Sequence, residues 1–173
     1  MEMNKLTQKS QEALQDAQAI ASRNGQTETD NEHLLLALLT QEGGLIPRLI
    51  DAAGADLTVL LNEVQHAIER KPSTTGPGAT PGQVFVSKSL AATLDRAERE
   101  ATRLKDSYVS VEHLLLAIAD DPSNSAAARH LRSNGVTRES FLTALTAVRG
   151  NQHVNSATPE QTYEALEKYG RDL

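Results

Sequence analysis

Six residues occur twice in this chain. Glu32-His33-Leu34-Leu35-Leu36-Ala37 returns unchanged as Glu112-His113-Leu114-Leu115-Leu116-Ala117, at an offset of 80 residues. That distance is too long for a solenoid repeat and suits a half-domain built twice. The correspondence extends outward. At the same offset Leu6-Thr7 falls on Val86-Ser87, and Leu14, Ala17 and Ala21 fall on Leu94, Ala97 and Ala101. One extra residue in the second copy then moves the offset to 81, and Arg48, Gly54, Leu61 and Val64 meet Arg129, Gly135, Leu142 and Leu145. The matches are mostly small or apolar residues at helical spacing. The duplication therefore preserves a packing scheme rather than a reactive group.

The periodicities predict an all-α fold of about eight helices, as two tandem four-helix repeats with pseudo-two-fold symmetry. Residues 7–24 carry Ala13, Leu14, Ala17, Ile20 and Ala21 on one helical stripe, and Asn24-Gly25 suits its end. Asp30 suits the N-cap of a second helix. Leu34 to Leu39 is apolar throughout, so that helix should be buried on nearly all sides. A short helix over 45–53 ends at Gly54, and a fourth starts at Asp56. The first repeat spans about 6–70. Pro72, Gly76, Pro77, Gly78, Pro81 and Gly82 mark a connector over about 71–85. The second repeat, about 86–149, has helices opening at Ser87, Ser110 and Thr137 and a short one ending at Asn134-Gly135. No segment alternates with the period of a strand. Residues 151–173 read as a polar spacer followed by a helix. Thr158 caps it, Pro159 opens it and Gln161 completes the capping box. The close reads as a domain boundary with a larger unit downstream.

With 173 residues, 39% of them hydrophobic, the whole chain can form one core, while each half alone would be marginal. Its 17 basic and 23 acidic residues give a formal charge of −6, which weighs against nucleic acid or an anionic membrane as the main partner. Absence of cysteine removes disulfides, thiolate catalysis and cysteine-ligated metals, and permits a cytoplasmic home. No apolar stretch approaches the roughly 20 residues of a membrane span.

The Glu32-His33 and Glu112-His113 pairs invite an acid–base reading. Each sits in the first turn of a helix, where the dipole favours a carboxylate, and adjacent helical positions do not face each other. No metal-ligand cluster surrounds them, so no metal is expected. A phosphate-binding glycine loop is absent too, and no cofactor is expected in this domain. Thr7 and Ser87 read as helix caps. Asp106 lies in the loop before the second hexapeptide helix, where it and Glu112 could form a local acidic patch.

The duplicated hexapeptide helix, the opening Leu6-Thr7-Gln8-Lys9-Ser10 and the closing Tyr163-Glu164-Ala165-Leu166-Glu167-Lys168-Tyr169-Gly170-Arg171-Asp172-Leu173 go together. They resemble the amino-terminal double-repeat domain of the Clp protein-unfolding ATPases, and the close is most similar to the ClpB-type disaggregases. The resemblance covers essentially the whole chain. It implies a ring-shaped homohexamer that threads polypeptides, uses ATP and Mg in ATPase domains outside this chain, and works with the DnaK chaperone system. This domain would recruit unfolded or aggregated protein at the pore entrance, and alone it would be a monomer. The resemblance also implies substrate-binding roles for Thr7, Asp106 and Glu112, with Leu94 in an apolar groove beside them. Arg96 and His113 stand where some relatives carry leucines, so that groove would be less apolar here. Within the superfamily, ClpC-like domains dock adaptors or phosphoarginine-marked proteins, and Glu32 and Glu112 match their guanidinium contacts. A third reading is a regulatory element of the ATPase ring.

Overall fold

A computed structural model describes residues 3–73, 85–150 and 153–159. Among them, α1 (Gln8–Arg23), α2 (Asn31–Thr40), α3 (Leu45–Ala52) and α4 (Leu57–Glu69) precede α5 (Lys88–Arg103), α6 (Val111–Ala119), α7 (Ala126–Ser133) and α8 (Arg138–Arg149). The starts follow from capping chemistry. Thr7 Oγ1 accepts the Ser10 N–H at 3.2 Å and Ser87 Oγ accepts the Leu90 N–H at 3.0 Å. Asp56 and Thr137 cap α4 and α8 in the same way. Gly54 and Gly135, equivalent under the repeat, take φ of +91° and +84° beyond α3 and α7, a conformation that an L side chain resists.

The repeated hexapeptide explains itself here. In α2 and α6 the histidine is the third helical residue, and its Nδ1 accepts the N–H of the capping residue. The distance is 2.8 Å from Asp30 to His33 and 2.9 Å from Ser110 to His113. Histidine thus completes a capping box usually closed by Glu or Gln. The leucines that follow are buried on all sides, as their unbroken run predicts.

The two repeats interlock. One hydrophobic cluster runs from Leu6 to Val154 and draws on all eight helices. Helix α4 packs on α7, α3 packs on α8, and α2 touches α6 at the centre. Under the repeat offset α3 becomes α7 and α4 becomes α8, so the first two contacts are one contact related by a pseudo-two-fold axis.

The all-α expectation holds with one addition. Two-residue strands β1 (Glu28–Thr29) and β2 (Phe85–Val86) pair in parallel, Thr29 opposite Val86. A single bridge joins Leu6 to Val109. At an offset of 80, Thr29 corresponds to Val109 and Leu6 to Val86. The lead-in to α5 therefore pairs with the lead-in to α2, and the lead-in to α1 with that of α6. Two residues are too few for alternation to register in a sequence. Most of the expected connector, 74–84, and the expected helix beyond Pro159 lie outside the described residues. The spacer differs from expectation, because Val154 within it is buried in the core.

Candidate functional site

The N-terminus of α6 and the loop before it hold a buried ionic cluster. His113 Nδ1 is occupied by the Ser110 N–H, so the imidazole proton sits on Nε2 and is donated to Asp106 Oδ2 at 2.7 Å. Asp106 Oδ1 accepts from the Arg149 guanidinium, and from the Val154 N–H at 2.8 Å. Burial pushes the Asp106 carboxyl towards protonation. The hydrogen bonds from His113, Val154 and Arg149 outweigh this and hold its pKa below the usual aspartate value. Glu112 is the opposite case. Its side chain is wholly buried, neither oxygen finds a hydrogen bond, and Arg149 Nη1 stands 3.9 Å away. Burial therefore raises its pKa, against the charge of the nearby Arg149 guanidinium.

The first repeat builds the same corner from different chemistry. His33 Nε2 donates to Gln26 Oε1 at 2.5 Å, and Gln26 Nε2 donates to the Ile68 carbonyl at 2.7 Å. Offsets of 80 and 81 set Gln26 against Asp106 and Ile68 against Arg149. The second repeat has thus exchanged a neutral pair for an ion pair at one buried place. Glu32 keeps its position, with Oε1 3.1 Å from Lys71 Nζ, which also reaches Asp30 Oδ2 at 3.1 Å.

The structure brings three of the expected site residues together. The Thr7 N–H donates to the Val109 carbonyl at 3.0 Å, in the loop between Asp106 and Glu112. All three side chains are buried, so the local acidic patch expected of Asp106 and Glu112 lies inside the fold, with Arg149 set against both carboxylates. Leu94 is half-buried and packs against the core. The pairing of Leu94 with Arg96 and His113 in one groove is also corrected. Two residues apart on a helix point roughly 200° apart. Arg96 turns towards the end of α6, donating to the Ala117 carbonyl at 3.2 Å, and His113 is inaccessible.

An acid–base reading finds no purchase, since both nitrogens of His113 are engaged and Glu112 does not reach solvent. Among the described residues no group of three or more His, Asp or Glu side chains could hold a metal, and no helix is long and apolar enough to cross a membrane. Sequence reasoning missed Arg149. The repeat alignment held its signal, a cation on an apolar position of the partner helix. A cleft of about 400 Å³ opens beside it, walled by Leu104, Leu142 and Leu145.

Residues 5–134 match the Clp repeat (R) N-terminal domain family. The whole chain is 48% identical to the chaperone protein ClpB of Nitratidesulfovibrio vulgaris and 43% identical to that of Bacillus cereus, and it spans 20% of the length of each. The Hsp104 N-terminal domain from Candida albicans superposes with a TM-score of 0.74 over 90% of this chain and 98% of that one, at 22% identity. A ClpV N-domain in complex with a VipB peptide superposes at 0.61 over 83% and 86%, at 21% identity.

Proposed function

The chain belongs to the Clp repeat N-terminal domain family, and from that premise we propose that it recruits unfolded or aggregated polypeptide for a ClpB-type disaggregase. The observation that carries this reading is the similarity to ClpB along the full length of the chain. In the proposal, a hexameric ATPase ring uses ATP and Mg outside these residues, and the DnaK system takes part downstream. The ClpV N-domain seen with a VipB peptide lends support, because it places a peptide on the same fold.

Unfolded chains expose apolar segments, and burying them returns about 25 cal/mol per Å². Half-buried Leu94 offers a small apolar edge. Lys5 bonds to Glu98 at 3.2 Å, one turn from Leu94, and so sets the amino-terminal segment beside that edge. A contact of this size offsets the cost of association only weakly. Several copies around a ring would multiply it through effective concentration. Thr7, Asp106 and Glu112 act in this reading from behind the surface, by fixing the loop before α6.

The phosphoarginine-docking reading is less favoured, because the protein supplies its own cations at both carboxylates: Lys71 at Glu32 and Arg149 near Glu112. The test is an NMR titration with a permanently unfolded protein and, separately, with its folded counterpart. Amide shifts around Leu94 and residues 104–110 with the unfolded chain alone are expected. No shift with either at millimolar concentration would sink the recruiting reading.

A further inference from the structure

The segment leaving α8 is seated like a bound peptide. The Val154 carbonyl accepts two backbone N–H groups, from Ser107 at 2.7 Å and from Tyr108 at 3.3 Å. The Val154 N–H donates to Asp106 Oδ1 at 2.8 Å, and the Val154 side chain is fully buried in the core cluster. Three residues on, the Ala157 carbonyl accepts the Gln8 N–H at 2.9 Å, one of the donors left over at the start of α1. Val154 and Pro159 are the buried side chains of this segment, Asn155 and Ser156 are exposed, and His153 is exposed with its Nδ1 3.1 Å from the Leu104 carbonyl. The seat therefore reads mainly backbone groups and two apolar side chains, Val154 and Pro159. Strand-like recognition makes the same demands of any extended polypeptide.

We infer that residues 106–108 and the first turn of α1 form a binding seat for an extended apolar segment, and that His153–Pro159 occupies it as a built-in competitor. This inference rests on the recruiting function proposed above and names its site. A client segment with an apolar residue in the Val154 position supplies equivalent carbonyl and N–H groups and displaces the exit segment. Asp106 then handles clients from inside the fold, through the carboxylate that receives the N–H of whichever chain is seated. Displacement also frees the exit segment, so capture of a client changes how the domain is tethered.

The chain has no cysteine, which makes a reversible lock available. Ser107 Oγ and Asn155 Oδ1 lie 3.3 Å apart. Ser107→Cys with Asn155→Cys should form a single disulfide across the seat. With carboxymethylated, permanently unfolded lactalbumin as probe, the oxidised form should bind more weakly than the reduced form by about tenfold or more, since the lock removes the competent state. Val154→Asp, in the opposite direction, should bind about tenfold more tightly for the same reason. Amides of Gln8, Ser107 and Tyr108 should exchange faster in that variant and regain protection with probe. Equal binding by oxidised and reduced forms overturns the seat and leaves the recruiting reading standing. No binding by any form, reduced wild type included, removes both.

Discussion

At His33, burial together with the Lys71 charge holds the imidazole pKa down to about 4. The unfolded chain titrates near 6.5, so between those values it takes up a proton that the fold refuses. Stability is intact above the upper value and falls as pH drops towards the lower one, by about 3 kcal/mol for a shift of this size. Denaturation midpoints should show that loss. His33→Gln keeps an acceptor for the Asp30 N–H and should flatten the profile, while an unchanged profile would assign the loss to another group. Asp106 and Arg149 give a second case. Arg149→Ile alone strands a buried carboxylate and should cost about 3–5 kcal/mol. Adding Asp106→Gln recreates the neutral pair of the first repeat and should recover most of that loss in urea melts. A double variant as unstable as the single one would show that the two repeats do not exchange chemistry at this corner. Asp106 and Glu112 were legible in the sequence as acids around a repeated helix, but their burial was not. A charge in a loop or first helical turn is ordinarily solvated, and no local spacing reveals that Arg149 folds back onto one 43 residues earlier.

The helices themselves were legible because most starts carry their own chemistry, α3 after Gly44 being an exception. Thr7, Asp30, Asp56, Ser87, Ser110 and Thr137 all stand at the N-caps that their side chains predict. The strands were not, since their residues pair by tertiary placement rather than by pattern. One helix end departs from the repeat. After α1 the chain turns at Gly25 with φ +67°, and after α5 the equivalent Lys105 takes φ +62°. A left-handed conformation costs a side chain about 1 kcal/mol or more. Lys105→Gly should therefore raise stability by about 1 kcal/mol in chemical denaturation. An unchanged or lower midpoint would mean that the lysine stem contributes more than the turn costs. The same turn sets Asp106 beneath the exit segment, so the strain at Lys105 is spent at the candidate seat.

At the scale of the molecule, the sequence shows two copies that would each be marginal alone, and the structure joins them around one core. Each repeat lends the other its lead-in strand, α3 and α4 of the first pack on α8 and α7 of the second, and α2 meets α6 inside a single cluster. Neither half can open without exposing the buried leucines of the other, so unfolding should be one cooperative event. Leu115→Ala in α6 tests this. It removes a fully buried side chain and should cost about 2–5 kcal/mol. In native-state hydrogen exchange, the slowest amides of α2 should lose the same free energy as those of α6, although the substitution lies in the second repeat. Loss confined to α5–α8 would show two separable units. A single cooperative body leaves the edges as the places where the domain can change at low cost, and the exit segment, held by three backbone–backbone hydrogen bonds, the Asp106 carboxylate and the buried Val154 and Pro159, is such an edge.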